Sequence, residues 1–228
     1  MPDIIIVAQA SEQARIEAVA RRLATVLRCD TRVLSPPPAN DADEIARMLA
    51  ELDRADAVLA VIPGETRLTA PCWQLIRAAN KPVLVVPPSV LDVERPIRRA
   101  LVPLNGTAES AAAIAESTAL LAAAGVELIV LHVFVAETVP KYWDQSAYAQ
   151  TVWEDEFRAR FCATPDVQIR IRSGVPSENV NTVAEQENVD LVALGWSQNL
   201  DAGHGRIVHR AATLGTVPVL LVPISIDS

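Results

Sequence analysis

Apolar residues along this chain alternate between two regimes: short continuous runs, and longer stretches where they recur every three or four positions. The runs over 3–8, 56–62 and 82–86, with the shorter 31–34, predict strands; the first is continuous enough for a strand covered on both faces. Between them, Ile16, Val19, Leu23 and Val26 mark the inward face of a helix that Ser11 is placed to cap. Ile45, Met48, Leu49 and Leu52 mark a second helix, with Asp41 and Glu44 in the spacing of a capping box. A third, over 69–79, starts at Thr69 and Pro71. The order β-α-β-α-β-α-β builds a parallel sheet with right-handed crossovers.

The pattern then repeats. Strands are predicted at 100–104, 126–134, 167–172, 190–195 and 218–223, with helices at 107–124 (Gly125 at its end), 177–187 and 205–214 (stopped by Gly215). An extra segment, 135–166, holds a Tyr/Trp-rich loop and a helix with Trp153, Phe157 and Phe161. The two copies share an ending: AspAlaValLeuAlaValIleProGly (56–64) before LysProValLeuValValPro (81–87), and AspLeuValAlaLeuGly (190–195) before ValProValLeuLeuValPro (217–223). Asp56 and Pro82 lie 26 residues apart, Asp190 and Pro218 28. A fixed-order repeat of this length predicts two copies of one α/β unit. The first copy runs 79 residues from Ile4 to Val83 and the second 119 from Ala100 to Val219. The difference of 40 is one helix plus one strand, so the first copy has lost one α/β unit. Residues 87–99 mix proline and charge, which divides the chain into domains at 1–88 and 100–228 with a linker at 89–99.

Composition narrows the function classes. Of 228 residues, 50% are hydrophobic and 4% aromatic, so the cores rest on Val, Leu, Ile and Ala. A net charge of −8 argues against a nucleic-acid face, which needs clustered Lys and Arg. It leaves room for a small anion held by a few local donors. Cys29, Cys72 and Cys162 are widely spaced, with neither pairing nor metal spacing, and read as reduced thiols. No leader and no run of membrane-spanning length is apparent. Together these give the expectation of a cytoplasmic protein without a membrane partner.

In an open parallel sheet ligands bind beyond the carboxyl ends of the strands, where strand order reverses. Two such ends in the second copy carry glycine and small polar groups: AsnGlyThr (105–107), and GlyTrpSerGln (195–198) leading to GlyHisGlyArg (203–206) at a helix start. Glycine admits close backbone approach, a helix start offers free N–H groups, and Arg206 adds a fork suited to phosphate. AsnGlyThr is equally an ordinary turn, and Ser197 equally a turn cap. His204 and His209 sit five apart, about 140° round a helix, and do not converge on a metal. His132 reads as a satisfied core histidine. Trp143, Trp153 and Tyr148 either cover the ligand mouth or pack the extra segment on the sheet, the second being favoured. No Ser-His-Asp, Cys-His or paired-carboxylate arrangement is readable, so nothing points to an enzyme.

The second half, about 100–224, resembles the universal stress protein family. ValProLeuAsnGlyThr (102–107) resembles its first strand and turn, normally Val-Pro-x-Asp-Gly-Ser. LeuHisVal (131–133), GlyValProSerGluAsnVal (174–180) with Ala184, 190–195 and 218–222 follow in family order. The first half shares only strand order and the ValLeuAlaVal…ProValLeuValVal ending. The resemblance implies two Rossmann-like (adenine nucleotide α-hydrolase-like) parallel-sheet units in tandem. It also implies a stress-response sensor or regulator, an unknown protein partner, and an ATP or other adenine-nucleotide site in the second unit. That site would comprise Pro103, Leu104, Asn105, Gly106, Val133, Gly195, Ser197, Gly203, Gly205, Arg206 and Ile207, with metal only as Mg carried by the nucleotide.

This chain departs from the family's ATP signature of Gly, two residues, Gly, nine residues, Gly, then Ser or Thr. Gln198 stands where the second Gly belongs, and Arg206 follows the last Gly. Gly195 and Gly205 lie 10 positions apart, three short of the signature. Asn105 replaces the acidic residue that holds the nucleoside. The loop is either rebuilt around Arg206 and His204 or out of use. In the first half GlnAlaSer (9–11) and Glu65 exclude a nucleotide. The alternative is an interaction module without nucleotide, its end strands 82–86 and 218–223 pairing edge to edge in an internal pseudo-dimer. A homodimer remains open beside it.

Overall fold

The computed structural model describes residues 2–35, 42–68, 70–140, 143, 147–164, 166–201 and 205–224. Its first half runs β1 (Asp3–Val7), α1 (Gln13–Leu27), β2 (Asp30–Leu34), α2 (Ala42–Asp53), β3 (Ala57–Pro63), α3 (Pro71–Ala78) and β4 (Val83–Val86). The second runs β5 (Arg99–Pro103), α4 (Ala108–Ala123), β6 (Glu127–Phe134), α5 (Ala147–Phe161), β7 (Gln168–Ser173), α6 (Pro176–Gln186), β8 (Leu191–Trp196), α7 (Arg206–Leu214) and β9 (Val219–Pro223).

All nine strands join one sheet in the order β2-β1-β3-β4-β9-β8-β5-β6-β7. Every neighbouring pair is parallel except β4 and β9, which run antiparallel with Val83 opposite Leu221, Leu84 opposite Leu220 and Val85 opposite Val219. The repeated end strands are therefore the seam between the halves. Pairing them hides two apolar strands that would otherwise be unprotected edges. The sheet's edges are instead β2 and β7, which are shorter on apolar burial and carry Arg32, Arg170 and Arg172. Comparing strand orders locates the missing unit. The second half reads 3-2-1-4-5 by its own numbering and the first reads 2-1-3-4, so the outermost strand and its helix are absent from the first copy.

Helices cover both faces. On one face Ile16, Val19 and Leu23 of α1, Ile114 and Leu121 of α4 and Phe157 of α5 join a core with alternate strand residues such as Leu84 and Leu220. On the other, α2, α3, α6 and α7 contribute Met48, Trp73, Val183 and Ala212 against Val85 and Leu221. Successive strand side chains feed opposite cores, which is why the strands read as unbroken apolar runs.

Local details correct one expectation. The residue before α1 is Glu12, which makes no side-chain cap; Ser11 is not the cap, and the turn is closed by the N–H groups of Glu12 and Gln13 donating to Gln9 O at 2.9 Å. The proposed cap pair of α2 includes Asp41, and the start of α3 includes Thr69; both lie outside the described residues. The segment between β4 and β5 contains no helix or strand yet is tied down. Val90 and Ile97 are buried, and Arg22 of α1 donates to Arg95 O at 2.5 Å and pairs with Glu94 at 2.6 Å. Asp190, 8% exposed at the foot of β8, accepts the N–H groups of Arg98 and Arg99 at 2.9 and 3.0 Å and pairs with Arg95.

Candidate functional site

In the second half the strand order reverses between β5 and β8. The carboxyl ends of these two strands are the two loops the sequence singles out. A Cβ built on Gly195 would lie 3.4 Å from Ser110 O and 3.6 Å from Ala113 Cβ, so the end of β8 is closely applied to the start of α4. Pro103 closes β5, and Leu104 is buried, its N–H donating to Leu131 O at 2.9 Å. Asn105 and Thr107 spend their side chains on the turn: Asn105 Oδ1 accepts Thr107 N–H at 3.1 Å, and Thr107 Oγ1 accepts Ser110 N–H at 3.2 Å as the N-cap of α4. Between them Gly106 has φ +80°, a left-handed conformation that glycine adopts without a Cβ penalty.

Beside this turn the carboxyl end of β6 is filled with aromatic rings. His132 lies 4.7 to 5.1 Å, centroid to centroid, from Phe134, Trp153 and Phe157, and Trp143 stands edge-on to Phe134 at 4.9 Å. Phe157 Cε2 and His132 Cε1 would each be 3.5 Å from a Cβ at Gly106. Trp143 and Trp153 thus pack the extra segment onto the sheet, while Tyr148 is 77% exposed and takes no part in that packing. Val133, the candidate on β6, is half-buried and turned toward the opposite core. His132 Nδ1 lies 2.9 Å from Leu104 O, as expected of a satisfied core histidine.

Burial lowers the pKa of His132, and its bond to Leu104 O raises it by less. Since the folded value is depressed, the unfolded chain takes up this proton first. Stability from His132 is complete above about pH 6.5, the ordinary histidine value, and is lost as pH falls through the window below it. Urea midpoints of the native protein should fall more steeply between pH 7 and pH 5 than those of His132→Phe; equal slopes would exclude this residue as the titrating group.

The described part of the loop after β8 makes contacts with the first half of the chain. Gln198 has φ +58°, the left-handed region that favours glycine. Its side chain reaches into the other half of the molecule, where Nε2 donates to Ala79 O at 2.7 Å and more distantly to Ile76 O at 3.4 Å. These are carbonyls at the end of α3, which otherwise lack helical partners. Gly205, the N-cap of α7 at φ +62°, is overhung by the same loop: a Cβ there would fall 2.6 Å from Leu200 Cδ2 and 2.7 Å from Asn199 O. Ser197 and Arg206 are exposed and Ile207 is half-buried; Gly203 and His204 lie outside the described residues. His209, one turn into α7, packs its ring at a tilt against Trp73 of α3, 5.7 Å between centroids. Gln198 and the Trp73–His209 pair therefore both tie α7 and its loop to α3. Sequence reasoning missed these roles, because no local pattern signals a contact between residues 119 or more positions apart.

The first half has its own crevice at the β1/β3 reversal, about 240 Å³, lined by Gln9, Glu12, Ile62, Glu65, Cys72 and Leu75 among others. Burial, reinforced by Glu65, pushes the Cys72 thiol up to about 12, which leaves it protonated and without nucleophilic character at neutral pH. No cluster of three metal-ligating side chains occurs among the described residues, and no helix there is long and apolar enough to cross a membrane.

A mostly parallel sheet covered by helices on both faces, with a glycine-bearing turn and a helix start at its reversal point, defines a Rossmann-like fold, here duplicated around an antiparallel seam. The family model of the universal stress protein family matches residues 96–223, more than half of the chain, and the protein belongs to that family. A protein of unknown function from Pseudomonas aeruginosa PAO1 has a similar structure, with TM-score 0.61 and 16% identity over 98% of this chain and 93% of that one. A universal stress protein from Archaeoglobus fulgidus DSM 4304 gives TM-score 0.57 and 15% identity over 100% of this chain and 88% of its own. At these identities the likeness is one of fold, and it extends over both halves. No curated protein matches the chain.

Proposed function

We propose that this protein is a stress-response regulator working as an internally paired, non-enzymatic module whose former phosphate loop now clamps its two halves together. The carrying observation is Gln198: at the position where the family's signature has its second glycine, the side chain caps α3 of the other half. Leu200 and Asn199 crowding Gly205 support the same reading, as do the rings filling the end of β6. An unoccupied backbone cradle needs room for an anion against the helix start, and this loop spends that room on packing. The three unbridged cysteines fit a cytoplasmic location. On this reading residues 1–88 and 100–228 are the two units and 89–99 their docked linker.

A weak adenine-nucleotide site in the second half is the second reading. It is favoured by the start of α7, where the first N–H groups have no helical acceptor, and by exposed Arg206 beside them. Calorimetric titration with ATP, ADP, AMP and cyclic AMP separates the two. We expect no saturable heat at millimolar ligand. Saturable binding tighter than about 100 μM, or weaker heat abolished by Asn105→Ala and by Arg206→Ala, would restore the nucleotide site.

A further inference from the structure

A cavity larger than the first-half crevice lies away from the carboxyl ends of the strands at either reversal point. It is a groove of about 820 Å³ between α1 and α4, helices contributed by different halves, over the start of β4 and the end of β9. Leu23 and Leu27 of α1, Leu120 of α4, and Leu220, Val222 and Ile224 at the end of β9 give it an apolar floor and walls. Leu120 is 49% exposed although it lies against this surface. Its volume falls in the range of small-molecule sites, which commonly form where two domains meet.

Two carboxylates and one ammonium line the groove, so its lining is acidic on balance. Glu109 and Glu116 of α4 line it seven positions apart, on one side of their helix. Neither carboxylate has an ion-pair or hydrogen-bond partner among the described residues. Lys81 also lines it and keeps its charge, but its Nζ is anchored to backbone carbonyls, donating to Ala57 O at 2.7 Å and to Arg54 O at 2.5 Å, which leaves the two carboxylates unpaired by it. The apolar floor calls for an apolar body, and the two free carboxylates call for a positive head. The net charge of −8 attracts such a ligand from a distance and disfavours an anionic one.

We propose that this groove binds a small cationic amphiphile, with its apolar body between α1 and α4 over the seam and its amine head against Glu109 and Glu116. Such a ligand touches both halves at once, so it stabilises their pairing by mass action. The site is independent of whether the β5/β8 crevice holds a nucleotide.

The test is calorimetry on the full chain with decyltrimethylammonium below its micellar concentration, with decyl sulfate and tetramethylammonium as matched probes. One decyltrimethylammonium should bind per chain, with little heat from either control. Glu109→Gln with Glu116→Gln should weaken binding roughly fivefold, as expected for two partly exposed pairs, and raised salt should do the same. Ala112→Trp, on the exposed side of α4 at the groove, should abolish binding while circular dichroism stays unchanged. Decyl sulfate binding as tightly, or Ala112→Trp leaving affinity intact, would overturn the proposal. So would a native dimer made monomeric by Ala112→Trp, which assigns the groove to a second copy. Binding only after removal of residues 225–228 would assign it to the chain's own end.

Discussion

Replacing Trp73 by alanine is expected to destabilise the protein by about 3–5 kcal/mol, the range for deleting a fully buried large aromatic side chain. Trp73 is 0% exposed, and its Nε1–H donates to Glu65 O at 2.8 Å. The mutation removes that donor and leaves a void in a core built mainly of smaller aliphatic side chains. The position matters beyond volume, because Trp73 is where α3 of the first half meets His209 of α7 in the second. Trp73→Phe keeps a ring and loses the hydrogen bond, so it should cost about 1–3 kcal/mol. His209 is half-buried, and His209→Ala should cost under about 1 kcal/mol, near the small effects typical of partly exposed positions. Urea unfolding followed by circular dichroism gives all three. A Trp73→Ala midpoint within error of the native one would mean that the two halves do not share this core.

The contrast between Trp73 and the seam strands shows what the sequence could reveal. Strands 56–62, 82–86, 190–195 and 218–223 are unbroken apolar runs because both of their faces are buried, and their order repeats. Architecture, the lost unit and the pairing of β4 with β9 were therefore legible. AsnGlyThr and GlyTrpSerGln were legible as the ends of β5 and β8, and the structure brings them together. The fate of the loop was not. Gln198 shows in sequence as a departure from glycine, but the carbonyl it satisfies belongs to Ala79, 119 positions away. Ser11 failed as a cap for a local reason: the backbone turn at Gln9 supplies the bonds instead. The groove was invisible because Leu23, Glu116 and Val222 belong to three elements whose periodicity marks each as ordinary core or surface.

The second large effect is expected at Asp190, where Asp190→Ala should cost about 2–4 kcal/mol. Two contributions compete there. One is the ion pair with Arg95, whose side chain is 42% exposed. A partner so open to water keeps its hydration when the pair breaks, which limits that contribution to under about 1 kcal/mol. The other is the pair of backbone N–H groups, Arg98 and Arg99, that both donate to Asp190 Oδ2. Leaving a donor unsatisfied costs up to about 1–3 kcal/mol where water cannot reach it, and two part-buried donors lose their acceptor together, so the backbone contribution dominates. The variants should then rank Asp190→Ala most damaging, Asp190→Asn intermediate because its carbonyl still accepts, and Arg95→Ala nearly neutral. The bonds hold the end of the segment joining the halves to the foot of β8, so the loss should also release that segment to proteolysis between β4 and β5. Urea midpoints and limited digestion check both. If Arg95→Ala proves as costly as Asp190→Ala, the carboxylate acts through the ion pair and the backbone argument is wrong.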